Sequence, residues 1–537
     1  MSRSRLIAGA VAVLAGAAFY GWPLVAIAQR SLSGVAGRAG LSMRSVGDVF
    51  SDPRIGRLAL ISVGQCVVST LLVTVLGVPV AWVLARLRFR GRRAMSAMVM
   101  VPFVLPTLTM AGAMIAVAGG LPRSQWVRLA LIIAAHVSFN LGIMVRSVSA
   151  AISAVPPSLE QAAATLGRSP VRAALGTTIS AVRGAIASAA IIVAVFCLTS
   201  FGVIVALGGA SIGTIEVEIW FLTTRTLDLG RAAVLAGTQL VVVMVLVFAY
   251  QRIRSERFGR AAHPARPLRT SLDRRLVAGC WAIVGVVSGL PIAALVVRSL
   301  RGPDGWTWSN YGVIVSAGEL GRAGGTGGVR GLDALGYTLG AALVATVVAL
   351  AVSIPVAVVA SRDDRVGRWF EHAMIVPLAM SAATLGFGFL VAFSGPTLDL
   401  RGRWIFVPLV QAAAAIPIVV RVVLGAVRGV DRSLLDAAAV SGAGPWRRLV
   451  AVIWPAVRRP AGVAAGFAFA MSVGEFGATV FLSRQNQPTV AILIGRLLGR
   501  PGETNLGQAM ALSVVLGLIA AVSVVVVDRS MSDGPTF

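Results

Sequence analysis

Two stretches, Ser158-Leu-Glu-Gln-Ala-Ala-Ala-Thr-Leu-Gly167 and Ser433-Leu-Leu-Asp-Ala-Ala-Ala-Val-Ser-Gly442, decide the fold of this 537-residue chain. They lie 275 positions apart between long apolar segments, so each half of the chain carries one copy. Ser158 with Gln161 and Ser433 with Asp436 predict capping boxes at the start of two short helices. Gly167 and Gly442 predict the helix ends, because glycine tolerates the left-handed conformation that often follows a helix.

The first copy also has an apolar face. Leu159, Ala162, Ala163 and Leu166 recur at the spacing of one side of a helix. A helix this short is unstable alone in water. We therefore expect the face to be covered, either by other helices of the chain or by another protein.

The composition is that of a polytopic membrane protein. Hydrophobic residues make up 57% of the chain, and the mean hydropathy is +0.85. The formal net charge is +27, but the arginines lie at the ends of apolar segments, as topology determinants and lipid contacts do. Nucleic acid is therefore not expected as a partner. All 48 basic residues are Arg, so the chain has no lysine for a Walker A motif.

The apolar segments predict six membrane-spanning helices in each half, and hence an all-α fold with about twelve spans. They lie near residues 6–28, 58–85, 95–118, 126–146, 184–206 and 232–250, and then near 276–298, 334–360, 370–393, 404–424, 460–482 and 507–527. This divides the chain into a first repeat (1–250), a basic linker (251–275) and a second repeat (276–537). Pro79, Pro102, Pro355 and Pro377 fall inside these spans and are expected to kink them.

Arginine-rich loops predict the orientation. The linker 251–275 carries eight Arg, and residues 86–93 carry five. Basic loops favour the cytoplasmic side, and an even number of spans separates these two. We therefore expect both termini and both Ala-rich segments to be cytoplasmic, and the apolar run from Leu6 to Ala28 to be a retained span.

The two halves are a sequence repeat. At a shift of 275, Pro, Gly and Arg positions stay in register over more than a hundred residues, which shared composition alone does not explain. The matched pairs include Pro102 with Pro377, Arg146 with Arg421, Gly167 with Gly442, Phe201 with Phe476, and Thr214 with Thr489. Because six spans separate equivalent points, the repeats are expected to be parallel, related by a pseudo-twofold axis along the membrane normal with a pathway between them.

The two Ala-rich segments resemble the EAA loop of binding-protein-dependent ABC importer permeases. That loop reads Glu-Ala-Ala, three residues, Gly, nine residues, then Ile-x-Leu-Pro. The second copy, within 433–455, has Asp436-Ala437-Ala438, Gly442 and Trp454-Pro455. The first copy, within 158–180, has Gln161-Ala162-Ala163 and Gly167, but it lacks the final Pro and carries its acid one residue earlier, as Glu160. The resemblance covers nearly the whole chain and implies the type I ABC importer permease fold.

Single-chain permeases with two such halves resemble the thiamine and ferric-iron types. The run from Ser200 to Gly209 and the segments 214–220 and 231–236 look like the thiamine permease, and Gly474-Glu475-Phe476-Gly477 is similar to an acidic-Phe-Gly element there. The resemblance thus implies an importer of a small solute, with thiamine favoured and ferric iron or another solute as the alternative.

The resemblance also implies partners and residue roles. The partners would be a cytoplasmic ABC ATPase dimer, which binds the ATP, and an extracytoplasmic solute-binding protein at the inner membrane of a bacterium. The chain itself would be neither an enzyme nor the holder of a cofactor or metal. The residues that would couple it to the ATPase are Glu160, Gln161, Ala162, Ala163 and Gly167 in the first copy, and Asp436, Ala437, Ala438 and Gly442 in the second.

Glu475 is the acid inside a predicted span of the second half, and its counterpart in the first half is Ser200. A carboxylate at membrane depth is costly and usually faces a cavity or a partner. Two interpretations stay open: a lining residue of a cation pathway, together with Ser200, Phe201 and Phe476, or a structural hydrogen bond. Glu216 and Glu218 are expected on a short outer helix, either on a solvated face or at a rim that meets the binding protein.

Two other classes of membrane protein fit less well. An ion-coupled secondary transporter would need intramembrane charges and usually has inverted repeats. An intramembrane enzyme would need a paired constellation such as Ser with His. The three histidines, His136, His263 and His372, are scattered through the chain and form no such constellation.

Overall fold

The computed structural model describes residues 3–32, 44–209, 212–253, 263–316, 319–320, 328–362, 364–395 and 398–532. These residues are almost entirely helical, so the predicted all-α class is confirmed. The middle of the predicted linker, residues 254–262, lies outside the described residues.

The first half contains thirteen helices among the described residues. They are α1 (Arg3–Gly16), α2 (Trp22–Leu32), α3 (Arg44–Ser51), α4 (Pro53–Arg86), α5 (Arg92–Val104), α6 (Thr107–Val117), α7 (Gln125–Ala154), α8 (Ser158–Thr165), α9 (Pro170–Ala174), α10 (Arg183–Leu198), α11 (Gly202–Gly208), α12 (Ile215–Thr224) and α13 (Leu229–Ile253). A π-helical turn (Ala17–Gly21) joins α1 to α2, and another (Leu175–Ile179) follows α9.

The second half repeats this order. Its helices are α14 (Ser271–Val284), α15 (Leu290–Ser299), α16 (Ser309–Val315), α17 (Gly331–Ala360), α18 (Arg365–Ala373), α19 (Ile375–Ala379), α20 (Ala382–Ala392), α21 (Phe406–Arg428), α22 (Arg432–Val440), α23 (Pro445–Arg448), α24 (Trp454–Gly474), α25 (Val490–Leu498) and α26 (Glu503–Ser532). The π-helical turns recur at the equivalent places, Gly285–Gly289 and Leu449–Ile453, and a 3-10 turn covers Thr479–Phe481.

Six two-residue strands lie in loops. They are β1 (Leu87–Arg88), β2 (Arg266–Pro267), β3 (Arg301–Gly302), β4 (Gly305–Trp306), β5 (Glu319–Leu320) and β6 (Val329–Arg330). β1 pairs in parallel with β2, so the end of the linker lies beside the Arg-rich loop that follows α4, whereas β3–β4 and β5–β6 are antiparallel pairs.

Eight of the twelve predicted spans are confirmed as helices long and apolar enough to cross a membrane, counted over the described ranges. The third and fifth predicted spans of each half are not single continuous helices. The helices near 95–118 bend by 108° between α5 and α6, where Pro106 ends one helix and starts the next. The helices around the predicted 184–206 span bend by 76° between the segments 170–179 and 183–198, and α10 then ends at Leu198. Counting each bent pair as one span gives ten.

The corresponding second-half segments are also interrupted. The predicted span 370–393 is divided into α18, α19 and α20, with a break at Met380 and Ser381, and the predicted span 460–482 ends at Gly474 because Glu475 is extended. The breaks follow Pro102 and Pro377 by a few residues, but α4 and α17 continue through Pro79 and Pro355 as single helices.

The long helices expose apolar side chains on one side, where lipid would contact them. On α4 the side chains of Leu60, Val63, Val67, Leu71 and Val75 form an exposed apolar stripe at helical spacing. On α17 Leu339, Leu343 and Val347 do the same. Exposed apolar surface of this extent is typical of a membrane-embedded protein.

The first span of each half packs against the other half. α1 and α2 lie against α17 and α20, whereas α14 lies against α4 and α5. The Trp22 indole donates a 2.9 Å hydrogen bond to the carbonyl of Ala392, which is the last residue of α20. The halves therefore exchange their first spans and cannot separate as two independent bundles.

Tyr20 makes the most informative contact of this exchange. Its hydroxyl donates a 2.7 Å hydrogen bond to the Ala413 carbonyl in α21. In a helix that carbonyl would accept from the amide four residues later, but here residue 417 is proline and has no N–H. Tyr20, from the first half, thus supplies the donor that Pro417 removes from the second.

The second half makes an equivalent contact between its first span and the first half. There the carbonyl belongs to the first span, and the hydroxyl donor belongs to α7. Ser138, the counterpart of Ala413 at the shift of 275, donates its hydroxyl to the Val287 carbonyl in the π-helical turn before α15. Helices α12 and α25 are anchored alike: Ile215 N donates to Ser62 Oγ at 3.1 Å, and Val490 N donates to Thr338 Oγ1 at 2.8 Å. The predicted parallel repeat is therefore visible in individual hydrogen bonds.

Tyr20→Phe should destabilise the protein, because it leaves the Ala413 carbonyl buried without a donor. The expected cost is about 1–3 kcal/mol, seen as a lower melting temperature of the detergent-purified protein. The control is Tyr337→Phe, which removes a 3.3 Å bond from an exposed hydroxyl to the Trp404 carbonyl. Equal melting temperatures for the two variants would contradict the role of Tyr20.

Candidate coupling helices and the interface between the halves

The two Ala-rich segments form short helices, α8 and α22, each followed by a tight turn. Gly167 and Gly442 have φ of +78° and +76°, a region that disfavours residues with a side chain. The next helices open at Pro170 and Pro445, where the missing N–H of proline costs nothing. The predicted helix, turn and second helix are thus present in both copies.

The apolar faces of both helices are largely uncovered. Leu159 is 46% exposed and Leu166 is 83% exposed, and in the second copy Leu434 is 57% and Val440 is 90% exposed. Among the residues that the resemblance singles out, Gln161, Ala162, Gly167, Asp436, Ala437 and Gly442 are exposed, Glu160 and Ala438 are half-buried, and Ala163 is buried within the chain. The exposed set leaves an apolar surface on each helix that the described part of the chain does not cover.

The predicted capping boxes were wrong. α8 has Pro157 before its first residue and no side-chain cap. α22 starts one residue earlier than expected, and its cap is Asp431, whose carboxylate accepts from Ser433 N at 2.9 Å. This hydrogen bond lowers the pKa of the Asp431 carboxyl group, because it stabilises the ionised form. Asp436 lies exposed inside α22, so it does not cap the helix.

Glu160 ties the first coupling helix to the membrane helices. Its Oε1 lies 3.3 Å from Arg86 Nε, and it accepts hydrogen bonds from the Trp82 indole (3.3 Å) and the Thr178 hydroxyl. Arg86 is buried at the end of α4 and also donates to the Val155 carbonyl at 2.8 Å. Glu160 thus holds together α4, α8 and the π-helical turn after α9.

The second half has a different clamp. Position 435, the counterpart of Glu160, is Leu, so the network cannot form there. Instead Arg428, at the end of α21, makes a bidentate pair with Glu371 of α18 (3.0 and 2.7 Å) and donates to the Ala360 carbonyl. The helices α8 and α22 therefore have similar shapes, but this second clamp joins α21 to α17 and α18 and does not contact α22.

The two halves meet at a pair of equivalent phenylalanines. Phe201 and Phe476 stack with ring centroids 5.7 Å apart and planes 21° from parallel. Phe481 lies 6.3 Å and Trp220 6.1 Å from the Phe201 ring, and a Cβ at Gly495 would lie 3.2 Å from the Phe476 ring. Side chains related by a pseudo-twofold axis can stack on each other only near that axis, so this aromatic cluster marks the centre of the molecule.

Glu475 is next to this cluster and is held by backbone donors. Its Oε1 accepts from Ala478 N at 2.8 Å, and the Gly477 N–H also bonds to the carboxyl group. The structure therefore contains the structural hydrogen bond that was one of the two interpretations of Glu475. Ser200, its counterpart, is half-buried beside Phe201.

Glu216 and Glu218 lie on a short helix, α12, as predicted, but the expected solvated face was wrong. Neither lies on a solvated face: Glu216 has no exposed surface, and Glu218 is buried and paired with Arg54 at 2.9 Å. Glu216 accepts from the Gln239 amide of α13 and lies next to Ser381, the cap of α20 in the other half. The sequence did contain a signal that Glu216 is unusual. Glu216 and Gln239 are polar, but their counterparts in the second half, Ala491 and Val514, are apolar.

Glu160→Ala should weaken the attachment of α8 to α4, because the buried Arg86 guanidinium loses its carboxylate partner. Hydrogen bonds to charged groups are worth about 1.5–3 kcal/mol, so the melting temperature should fall, and amide exchange in residues 158–165 should accelerate. Gln161→Ala, an exposed neighbour on the same helix, is the matched control. Unchanged exchange in the Glu160 variant would mean that the network does not hold α8.

Comparison with known proteins agrees with this architecture. Residues 325–532 match the family model described as binding-protein-dependent transport system inner membrane component. The thiamine transport system permease protein ThiP of Brucella abortus is 26% identical over 551 residues, covering 98% of this chain and 95% of that protein. ThiP of Salmonella typhimurium is 25% identical over 84% of this chain and 85% of its own length. The probable ABC transporter permease protein y4fN of Sinorhizobium fredii is 23% identical over 94% of this chain and 92% of its own length.

The matched region contains α22, and the aligned relatives extend through both halves. The resemblance carried by the two Ala-rich segments is thereby confirmed. The second half of the chain thus matches a binding-protein-dependent transport component, and the chain as a whole is similar over most of its length to thiamine transport permeases.

Proposed function

We propose that this permease imports thiamine, delivered by an extracytoplasmic binding protein and driven by a cytoplasmic pair of ABC ATPase subunits. The observation that carries the proposal is the likeness to the Brucella thiamine permease over 98% of the chain, which includes both halves and the interface between them. Solute specificity in a permease depends on that interface, since the pathway of a parallel repeat runs between its halves.

The coupling helices are the proposed contact with the ATPase. Each would place its uncovered apolar face, Leu159 and Ala162 or Leu434 and Ala437, in a cleft of one ATPase subunit. Covering these faces would also stabilise helices that are too short to be stable alone. ATP would stay on the partner, because the chain has no lysine for a phosphate-binding loop.

The proposed orientation is supported by the way the Arg-rich segments meet. β1 and β2 place the loop after α4 against the end of the linker, and His263 N donates to the Ser153 carbonyl at the end of α7. Arg86, the last residue of α4 just before this loop, contacts Glu160 of α8. These basic segments thus surround the first coupling helix, which supports a cytoplasmic position for the linker, the coupling helices and both termini in a bacterial inner membrane.

The transport cycle would then consist of rocking between the halves. ATP-driven closure of the ATPase dimer would bring α8 and α22 together, and Glu160 would pass the motion of α8 directly to α4 through Arg86. At the centre, Phe201 and Phe476 stack across the interface, next to Ser200 and Glu475, and would block the pathway in this state. Separation of the two rings would open it.

The direct test is uptake by proteoliposomes that contain the permease, its ATPase and its binding protein. We expect ATP-dependent accumulation of radiolabelled thiamine, which excess unlabelled thiamine abolishes and ferric citrate does not. Accumulation of iron without thiamine would contradict the proposed substrate, and uptake without ATP would contradict the proposed energy source.

Gly442→Val should uncouple ATP hydrolysis from import, because a β-branched residue is strained at a φ of +76°. Import and substrate-stimulated ATP hydrolysis should fall together, while the amount of folded permease in the membrane stays the same. Gly442→Asn is the matched control: Asn has a similar size but tolerates the left-handed conformation, so it should retain more import. Normal import by the Val variant would show that this turn does not transmit the motion.

A further inference from the structure

We propose that Glu216 and the aromatic cluster formed by Phe201, Trp220, Phe476 and Phe481 contact the positively charged part of the transported solute. The site would therefore select an organic cation with delocalised charge over a hydrated metal ion. This inference rests on the proposed import function, and it assigns the solute contact to a residue in α12 of the first half.

Glu216 carries an oxygen that the protein does not satisfy. Its Oε1 accepts from Gln239, but within the described ranges Oε2 has no hydrogen-bond partner, and neither has Gln239 Oε1. The Ser381 hydroxyl of the other half lies beside Glu216, and in this arrangement it donates to Thr384 Oγ1 at 2.8 Å. Glu216 is fully buried, and Gln239 is 6% exposed. Two buried acceptor oxygens without donors are costly unless a positive group meets them at another stage of the cycle.

Glu475 differs from Glu216 in this respect. Its carboxylate already accepts from the backbone of Gly477 and Ala478, which compensates much of its charge. Of the two acids near the interface, Glu216 is therefore the one with unused capacity for a cation.

Glu216 lies on the same side of α12 as Trp220, which belongs to the aromatic cluster. Trp220 is four residues after Glu216, so both lie on one side of α12. Trp220 contacts Phe201 edge to face, with centroids 6.1 Å apart, and Phe201 stacks on Phe476. A carboxylate beside several aromatic rings is the combination that attracts organic cations, through charge and cation–π contacts.

The location of Glu216 makes it accessible when the halves move. Its neighbours Gln239 and Ser381 belong to different halves, and a Cβ at Gly477 would lie 2.7 Å from Ala382 Cβ and 3.6 Å from the Phe201 ring. The break before α20, the aromatic cluster and Glu216 thus lie close together where the two halves meet. Separation of the halves would expose Glu216 Oε2 to the pathway that opens there.

The repeat makes this site one-sided. The counterparts of Glu216 and Trp220 are Ala491 and Gly495, and α25 instead packs its small residue against Phe476. A solute passing between the halves would therefore meet negative charge and an indole on the α12 side and an apolar wall on the α25 side.

Glu216→Gln in the reconstituted system tests the inference. It keeps the shape of the side chain and its bond to Gln239 but removes the charge. We expect thiamine import at saturating binding protein to fall about tenfold, which corresponds to about 1.4 kcal/mol, while basal ATP hydrolysis and the melting temperature stay unchanged. Glu216→Asp retains the charge and should recover part of the import. Glu218→Gln is the control, since that acid lies on the same helix but is paired with Arg54.

Three outcomes would overturn the inference. The first is wild-type import by Glu216→Gln. The second is a loss of import accompanied by lower basal hydrolysis and a lower melting temperature, which would make Glu216 a structural tie. The third is an equal loss in the Glu218 control. Failure of the wild-type protein to import thiamine would instead refute the proposed function, so the two failures are distinguishable.

Discussion

Backbone groups that are freed where a membrane helix breaks must find hydrogen-bond partners inside the protein, because lipid offers none. This constraint explains much of the architecture. Pro417 leaves the Ala413 carbonyl without its helical donor, and Tyr20 from the other half supplies one. The carbonyl that ends α20 receives the Trp22 indole, and the turn that ends α24 is held by Glu475. The exchange of first spans thus supplies hydrogen-bond partners to interrupted helices of the other half, and it joins the two halves.

The helices of the two halves follow the twofold symmetry of the repeat, but several acidic side chains do not. The equivalent anchors of α12 and α25, the paired π-helical turns and the stacked Phe201 and Phe476 give both halves the same frame around one axis. The acids do not follow this symmetry. Glu160 attaches only the first coupling helix to its membrane helices, and Glu216 is matched by alanine. A symmetric arrangement of helices would let both halves move in the same way. Asymmetric side chains at the interface would let the protein bind a solute that has no twofold symmetry.

The sequence was sufficient for features that depend on local residue type. The repeat, the two Ala-rich helices and the turns at Gly167 and Gly442 follow from register, periodicity and glycine chemistry. It was insufficient where tertiary contacts decide. The apolar runs near 95–118 and 370–393 were each predicted as one span, but the first breaks at Pro106, beside Gly474 of the other half, and the second breaks at Ser381, beside Glu216 of the other half. Asp431 rather than Ser433 caps α22, because the helix starts one residue early. Glu216 could not be recognised as buried, since its partners are 23 and 165 positions away along the chain.

The central claim is that the two coupling helices approach each other when ATP binds and thereby separate the aromatic pair at the centre. The most direct measurement is the distance between spin labels at Gln161 and Asp436, both exposed on their helices, while the native Cys66, Cys197 and Cys280 are buried. The account predicts that the label-to-label distance shortens when ATP is bound to the assembled transporter and returns after hydrolysis. A distance that stays the same in both states, in a complex that imports its solute, would contradict it.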